Sequence, residues 1–247
     1  LDIGAGPGTA TWAASSMWDS LTAATLIEAS PAVRAVGERL SKALPVDQIA
    51  WQAQHVGDGL PGMVPVDLVV LAYVLDELDP AARAPLIARL WELTAHTLVI
   101  VEPGTNEGWK RILAVRAQLV AAGAHILAPC PHAAPCPLSS PDWCHFSARV
   151  ARSRLHREAK GGSVPWEDEK FIYLGISRHP AAQLAPRVLA PPHVSKAGVS
   201  LKLCEPGGMI ATRFFAKRDG GAFKAARKLG WGDPMPVQPS SPAGQKR

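Results

Sequence analysis

The feature that most restricts this chain is a set of three alternate glycines just behind an acidic residue, Asp2-x-Gly4-x-Gly6-x-Gly8. It stands where an apolar segment, residues 1–4, gives way to a helical pattern over 10–21. Glycines at such a junction let the backbone turn sharply and approach a ligand with no Cβ in the way. The pattern downstream keeps alternating. Residues 25–27 read as a strand ending at Glu28, and 31–44 as a helix opened by Pro31 and stopped by Pro45. A third strand is expected over 49–54, and the apolar run 66–71, interrupted only by Asp67, suits a strand buried on both faces. A helix over 80–94, a strand over 98–101 and a helix over 107–122, closed by Gly123, follow. This βαβα succession predicts a parallel sheet with helices on both faces.

Hydrophobic residues make up 47% of the 247 and charged residues 19%, which excludes disorder for the bulk of the chain. No apolar run reaches the roughly 18 residues of a membrane span, so a soluble chain with no membrane partner is expected. The second half reads differently from the first. Residues 129–141 are rich in proline and must form an irregular loop, 145–160 read as a basic helix, and 171–177 as a strand. Residues 199–204 and 209–215 form a hairpin around Glu205-Pro-Gly-Gly208. The expected organisation is a core over 1–128, a cysteine-rich loop and basic helix over 129–170, strands completing the fold over 171–232, and a disordered tail over 233–247. The chain opens without Met and directly on a strand, as a fragment or processed product would.

The glycine spacing selects among nucleotide-type loops. A dinucleotide fingerprint, G-x-G-x-x-G, would place its third glycine at position 9, which is Thr9. The spacing instead resembles the loop of class I methyltransferases, D-x-G-x-G-x-G, which wraps the methionine part of S-adenosylmethionine. That resemblance implies cofactor contacts from Asp2, Gly4, Gly6 and Gly8. It also implies that Glu28 accepts hydrogen bonds from the ribose hydroxyls and that Asp58 contacts the adenine. No catalytic residue is assigned. The segment after the fourth strand, Leu71-Ala-Tyr-Val-Leu-Asp-Glu-Leu78, lacks the Asn/Asp-Pro-Pro-aromatic clamp of amino-methylating enzymes. Asp76 and Glu77 there serve equally well as bases or as an acidic helix start.

Charge divides the chain. Residues 1–128 hold 8 Lys/Arg against 13 Asp/Glu, whereas 129–247 hold 18 against 8. A half-chain excess of that size points to a polyanionic partner, with nucleic acid foremost. Arg149, Arg152, Arg154, Arg157 and Lys160 lie on the expected basic helix, where spacing puts 149, 152, 156 and 160 near one face. Arg213, Lys217 and Arg218, with Lys224, Arg227 and Lys228, form a second run. Arginine forks and lysines in such runs suit phosphates.

All four cysteines fall in the basic half, spaced Cys130-x5-Cys136-x7-Cys144 with Cys204 far downstream. Four thiolates match the ligand count of a tetrahedral zinc or a [4Fe–4S] cluster, and the missing C-x2-C pairs lean toward the cluster. His132 and His145 are adjacent alternative ligands. The segments Cys130-Pro-His, Cys136-Pro-Leu, Asp142-Trp-Cys-His-Phe-Ser-Ala-Arg149 and Glu167-Asp-Glu-Lys-Phe-Ile-Tyr173, with Leu229-Gly-Trp-Gly-Asp233, resemble the Rsm22 family. These are methyltransferase-like proteins of the small ribosomal subunit, found in mitochondria and bacteria. The resemblance covers nearly the whole chain. It implies a [4Fe–4S] cluster on Cys130, Cys136, Cys144 and Cys204, and a role in small-subunit assembly with ribosomal RNA and proteins as partners. The implied compartment is the bacterial cytoplasm, or the mitochondrial matrix for a eukaryotic source. Two other functions compete with this one. One is an active methyltransferase on ribosomal RNA with the cluster as a brace; the other is a zinc-stabilised RNA-binding protein with a vestigial cofactor pocket.

Overall fold

Residues 1–181 and 184–236 are described by a computed structural model. They fall into two compact units: Leu1–Ala128 with Trp143–Ala181, and Pro129–Asp142 with residues 184–236.

The first unit holds the alternating pattern. β1 (Asp2–Ile3) leads through the glycine turn into α1 (Thr9–Met17), then β2 (Ala23–Ile27), α2 (Pro31–Ser41) and β3 (Gln48–Gln52). β4 (Val66–Ala72), α3 (Pro80–Glu92), β5 (Thr94–Pro103), α4 (Asn106–Ala121) and β6 (His125–Ala128) follow. After the proline-rich segment come β7 (Phe146–Ala151), α5 (Arg154–Lys160) and β8 (Trp166–Ser177). The helices start where side chains can satisfy their open amides. Ser30 Oγ accepts from Val33 N ahead of Pro31, Asp79 accepts from Ala81 N ahead of Pro80, and Thr105 Oγ1 accepts from Gly108 N at 3.0 Å.

The sheet order is β3-β2-β1-β4-β5-β8-β6, with β7 added on β8. β1 to β5 pair in parallel, and β8 runs antiparallel between β5 and β6. This is the mixed α/β sheet of the class I methyltransferase-like fold. Strand order reverses at β1, whose two neighbours are β2 and β4. In open α/β sheets, ligands bind beyond the carboxyl ends of the strands at such a reversal. Ile3, Leu26, Ile27, Val69, Leu71, Leu98, Ile100, Leu174 and Ile176 are fully buried on the strands. Ile87 and Leu90 of α3 and Ile112 and Leu119 of α4 are buried with them, as a sheet covered by helices requires.

The second unit carries β9 (Arg187–Val188), β10 (His193–Val194), β11 (Gly198–Cys204), β12 (Ile210–Ala216) and α6 (Gly221–Ala226). β11 and β12 form the expected hairpin, in register from Gly198↔Ala216 to Cys204↔Ile210, and β9 and β10 both pair with β11. Val188, Val199, Leu201, Leu203 and Ala226 make its core, with Phe215, Phe223, Leu229 and Met235 packed against it.

Three expectations need correction. The basic helix over 145–160 is instead a strand, Phe146–Ala151, and a short helix, Arg154–Lys160. Its first half alternates Phe146, Ala148 and Val150 with Ser147, Arg149 and Ala151, and it pairs antiparallel with the acidic start of β8. The strand expected over 171–177 is therefore longer, because Trp166–Lys170 pair with β7 before Phe171–Ser177 pair with β5. Residues 129–142 lie in the second unit, and 143–181 return to the first. The tail expected from Asp233 starts in ordered contacts: Arg187 bridges Pro234, and Met235 N donates to Pro186 O at 2.7 Å. Residues 237–247 lie outside the described ones. Among the described residues no helix is long and apolar enough to cross a membrane.

Candidate functional site

At the carboxyl end of β1 the three glycines take left-handed backbone, with φ of 63° at Gly4, 55° at Gly6 and 91° at Gly8. Gly4 is required by close approach, because a Cβ there would lie 2.5 Å from Val74 Cγ2. A Cβ added at Gly6 would meet nothing within 4 Å, so the half-buried backbone there borders open space. Two acidic residues hold the loop. Asp2 is buried, and its Oδ2 accepts from Thr11 Oγ1 at 2.8 Å and Thr11 N at 3.2 Å, tying β1 to the first turn of α1. Burial pushes the Asp2 carboxyl above its ordinary range, and the Thr11 hydrogen bonds pull against that shift. Glu28, just past β2, accepts from Gly6 N at 2.9 Å through Oε2 and from Ser30 N at 2.7 Å through Oε1. Each carboxylate oxygen has a second lone pair available for a hydroxyl donor. The structure thus brings Asp2, the glycines and Glu28 together. Asp58 lies in a 3-10 turn after β3, Val56–Asp58, with its side chain exposed.

A larger groove of 780 Å³ lies elsewhere, between the starting residues of β2, β3 and β4 (Ala23, Gln48 and Val66 among them) and α1. It opens at the amino ends of the strands, opposite the glycine loop.

Beside the loop, past β4, Tyr73 is exposed with a left-handed φ of 60°, a conformation rare for an aromatic residue. Partial burial, then the charges of Glu169 and Glu102, push its phenol above the usual range. Glu102, at the carboxyl end of β5, is fully buried. It accepts from Leu75 N at 3.2 Å and from Arg111 Nε at 2.7 Å, and the same guanidinium meets Asp76 Oδ1 at 2.6 Å. Burial pushes the Glu102 carboxyl up while Arg111 pulls it down. Asp76, weighed as a base from the sequence, is thus the outer member of an ion-paired triad. Sequence reasoning passed over Glu102 and Arg111. The available signal was an acid closing an apolar strand, with a cation on the helix after it.

None of the four cysteines is in a disulfide. Cys204 ends β11, and its Sγ lies 3.4 Å from His132 Nε2, whose Nδ1 faces Ala134 O at 3.0 Å. Cys130 and Cys136 are half-buried on the proline-rich segment of the same unit, and Cys144 is buried in the first unit. Thiols with an adjoining imidazole have the donor chemistry of zinc or iron–sulfur ligation. Among the described residues, however, no three His, Cys, Asp or Glu side chains converge as a metal-holding group.

The first basic run is bound to acids. Arg149 forks onto Asp168 at 2.7 and 2.8 Å across the β7–β8 ladder. Arg152 Nη2 and Lys160 Nζ both reach Glu167 Oε2, at 2.6 and 3.1 Å, and Arg154 pairs with Glu158 at 2.8 Å. Arg157 Nε is buried without a hydrogen-bond partner among the described residues. In the second run, Arg213 Nη2 meets Glu205 Oε2 at 2.8 Å. Lys217, Arg218, Lys224, Arg227 and Lys228 are exposed and have no ion-pair partner among the described residues.

The family described as mitochondrial small ribosomal subunit Rsm22 matches residues 1–236. The human mitochondrial ribosome assembly protein METTL17 is 30% identical over 259 residues, covering 96% of this chain and 55% of that protein. The mitochondrial Rsm22-cox11 tandem protein 2 of Schizosaccharomyces pombe is 22% identical, covering 98% of this chain and 39% of its own length. The chain thus spans about half the length, or less, of these curated relatives. Among solved structures, the N-methyltransferase NodS of Bradyrhizobium japonicum WM9 overlays with a TM-score of 0.47 at 17% identity, covering 73% of this chain and 85% of that one.

Proposed function

Because this chain belongs to the Rsm22 family, we propose that it acts in assembly of the small ribosomal subunit, as a methyltransferase-like body that holds S-adenosylmethionine and meets ribosomal RNA. The observation that carries this reading is the family match, which runs over residues 1–236 and so takes in both units. The partners are small-subunit RNA and proteins. The compartment is the mitochondrial matrix for a eukaryotic source, as for the mitochondrial relatives, and the cytoplasm for a bacterial one.

The cofactor reading is supported by the loop itself. Open space beside Gly6 gives the methionine part a place against bare backbone, and Glu28 has acceptor capacity left for ribose hydroxyls. Asp58 is proposed as the adenine contact. S-adenosylmethionine supplies an activated methyl group when bound. The residues past β4 argue for a binding role over methyl transfer, because Asp76 is neutralised by Arg111, which also holds Glu102.

For RNA, the exposed cations Lys217, Arg218, Lys224, Arg227 and Lys228 are the leading contacts. Arg149, Arg152, Arg154, Arg157, Lys160 and Arg213 are proposed as secondary ones, since most of their charge is already answered by acids. The thiols of Cys130, Cys136, Cys144 and Cys204 are proposed to ligate a [4Fe–4S] cluster, with zinc as the alternative. The donor chemistry and the absence of disulfides support this, and a bound cluster would brace the chain.

Sedimentation of anaerobically purified protein with small ribosomal subunits tests the reading. The expected result is coloured protein in the small-subunit fractions, and loss of both colour and cosedimentation in Cys204→Ser. Wild-type protein left at the top of the gradient would refute the ribosomal role.

A further inference from the structure

Residues 166–170 of β8 pair with β7 alone, since β5 takes only 171–177, so this stretch is a two-stranded ribbon beyond the main sheet. Side chains along paired strands alternate between the two faces. Glu167 and Glu169 stand on one face, and α5 with the residues leading into it occupies that side. Arg152 and Lys160 reach Glu167 Oε2 at 2.6 and 3.1 Å, and Lys160 Nζ lies 3.9 Å from Glu169 Oε1. The opposite face carries Trp166, Asp168 and Lys170, set across the ladder from Ala151, Arg149 and Ser147. Its indole is 42% exposed, a large apolar surface to leave in water. Arg149 Cζ stands 5.4 Å from the centroid of that ring, within cation–π range. The same guanidinium forks onto Asp168 at 2.7 and 2.8 Å, which fixes its plane and consumes the acid of this face. Lys170 is exposed and has no ion-pair partner among the described residues.

The ribbon thus turns its acids toward α5 and leaves an aromatic ring, a guanidinium plane and a lysine facing outward. An exposed indole stacks bases, an arginine plane extends the stacking surface, and a lysine point charge suits a phosphate. We propose that this open face of the β7–β8 ribbon binds single-stranded RNA, with one base stacked on Trp166 and a phosphate further along the strand at Lys170. The two sites are four residues apart on one strand, roughly 13 Å. Every base has a π-face, so the contact carries no base preference. The inference rests on the RNA-binding reading above. It gives Arg149 a planar role beside the indole, since Asp168 already answers its charge.

Fluorescence anisotropy of the full chain tests it with two labelled probes, a single-stranded uridine octamer and the same ribose–phosphate backbone without bases. Wild type is expected to bind the uridine octamer about tenfold more tightly than the abasic one. Trp166→Ala should remove that difference and leave the slope of log affinity against log salt unchanged, because stacking releases no counterions. Trp166→Tyr, which keeps an aromatic face, should restore most of the difference, and a thermal melt of each variant monitors folding. Equal binding of the two probes by wild type, or a difference that survives Trp166→Ala, overturns the stacking face and leaves RNA binding standing. Loss of small-subunit cosedimentation in Trp166→Ala with both RNA affinities unchanged also overturns it, in favour of a protein contact. Failure of both probes to bind wild type overturns the RNA reading and the stacking face with it.

Discussion

Glu167 gathers two cations on one carboxylate oxygen, Arg152 at 2.6 Å and Lys160 at 3.1 Å, with the His156 ring 3.8 Å away. The Arg152 hydrogen bond first, then that of Lys160, lowers its pKa from 4.5 to about 2. A carboxyl depressed in this way contributes stability in full above its ordinary value near 4.5, and the contribution is lost as pH falls through about 2. NMR titration of the Glu167 carboxyl carbon is therefore expected to show a midpoint near 2, moving back toward 4.5 in Arg152→Ala. A wild-type midpoint near 4.5 would mean that the cations do not hold this carboxylate in solution. Such pairing was hard to read from the sequence. Arg149 and Arg152 sit at helical spacing, and nothing local announces that Asp168 and Glu167, on the strand beyond α5, will answer them. The glycines were different. Their spacing made the turn legible, its left-handed backbone came with the structure, and Glu28 was legible as the acid closing the next strand.

Arg111 works between elements, reaching from α4 to Glu102 at the end of β5 and to Asp76 after β4. Glu102 is fully buried, so its charge depends on that guanidinium. Arg111→Ala is expected to cost about 3 kcal/mol near neutral pH, the usual penalty for stranding one member of a buried pair. Burial already raises the Glu102 pKa, and without Arg111 the folded state binds a proton there more readily still. The loss should accordingly shrink as pH falls. Urea unfolding at about pH 7 and about pH 5 checks both statements, and an equal loss at the two pH values would contradict the mechanism. At this scale strands buried on both faces were the most legible elements. The apolar runs of β4 and β5 and the β11–β12 hairpin appear close to their expected places. β7 was misread because its basic residues fit a helical face, while its partner strand lies some twenty residues further on. β9 and β10 are two residues each, too short to leave a periodic signal.

For the molecule as a whole, the acidic first half and basic second half describe its charge less well than pairing does. Much of the excess over residues 149–160 is answered by Asp168, Glu167 and Glu158, and the exposed remainder concentrates in residues 217–228. Composition reveals the excess of cations, but long-range strand pairing decides which of them stay open to a polyanion. The cysteines show the same limit. Their number and chemistry were plain in the sequence, whereas the contact between Cys204 and His132, 72 residues apart, comes from the tertiary fold. The glycine loop is the place where sequence, backbone and topology agree most fully, at the strand-order reversal of a methyltransferase-like sheet. A calorimetric titration with S-adenosylmethionine tests the cofactor role of this loop most directly. One site per chain is expected, abolished in Gly6→Arg because the open space beside Gly6 receives the new side chain in place of the ligand. The left-handed φ of 55° adds a stability cost of about 1 kcal/mol, and a thermal melt checks that the variant is folded at the titration temperature. No binding to wild type, or undiminished binding to Gly6→Arg, would contradict it.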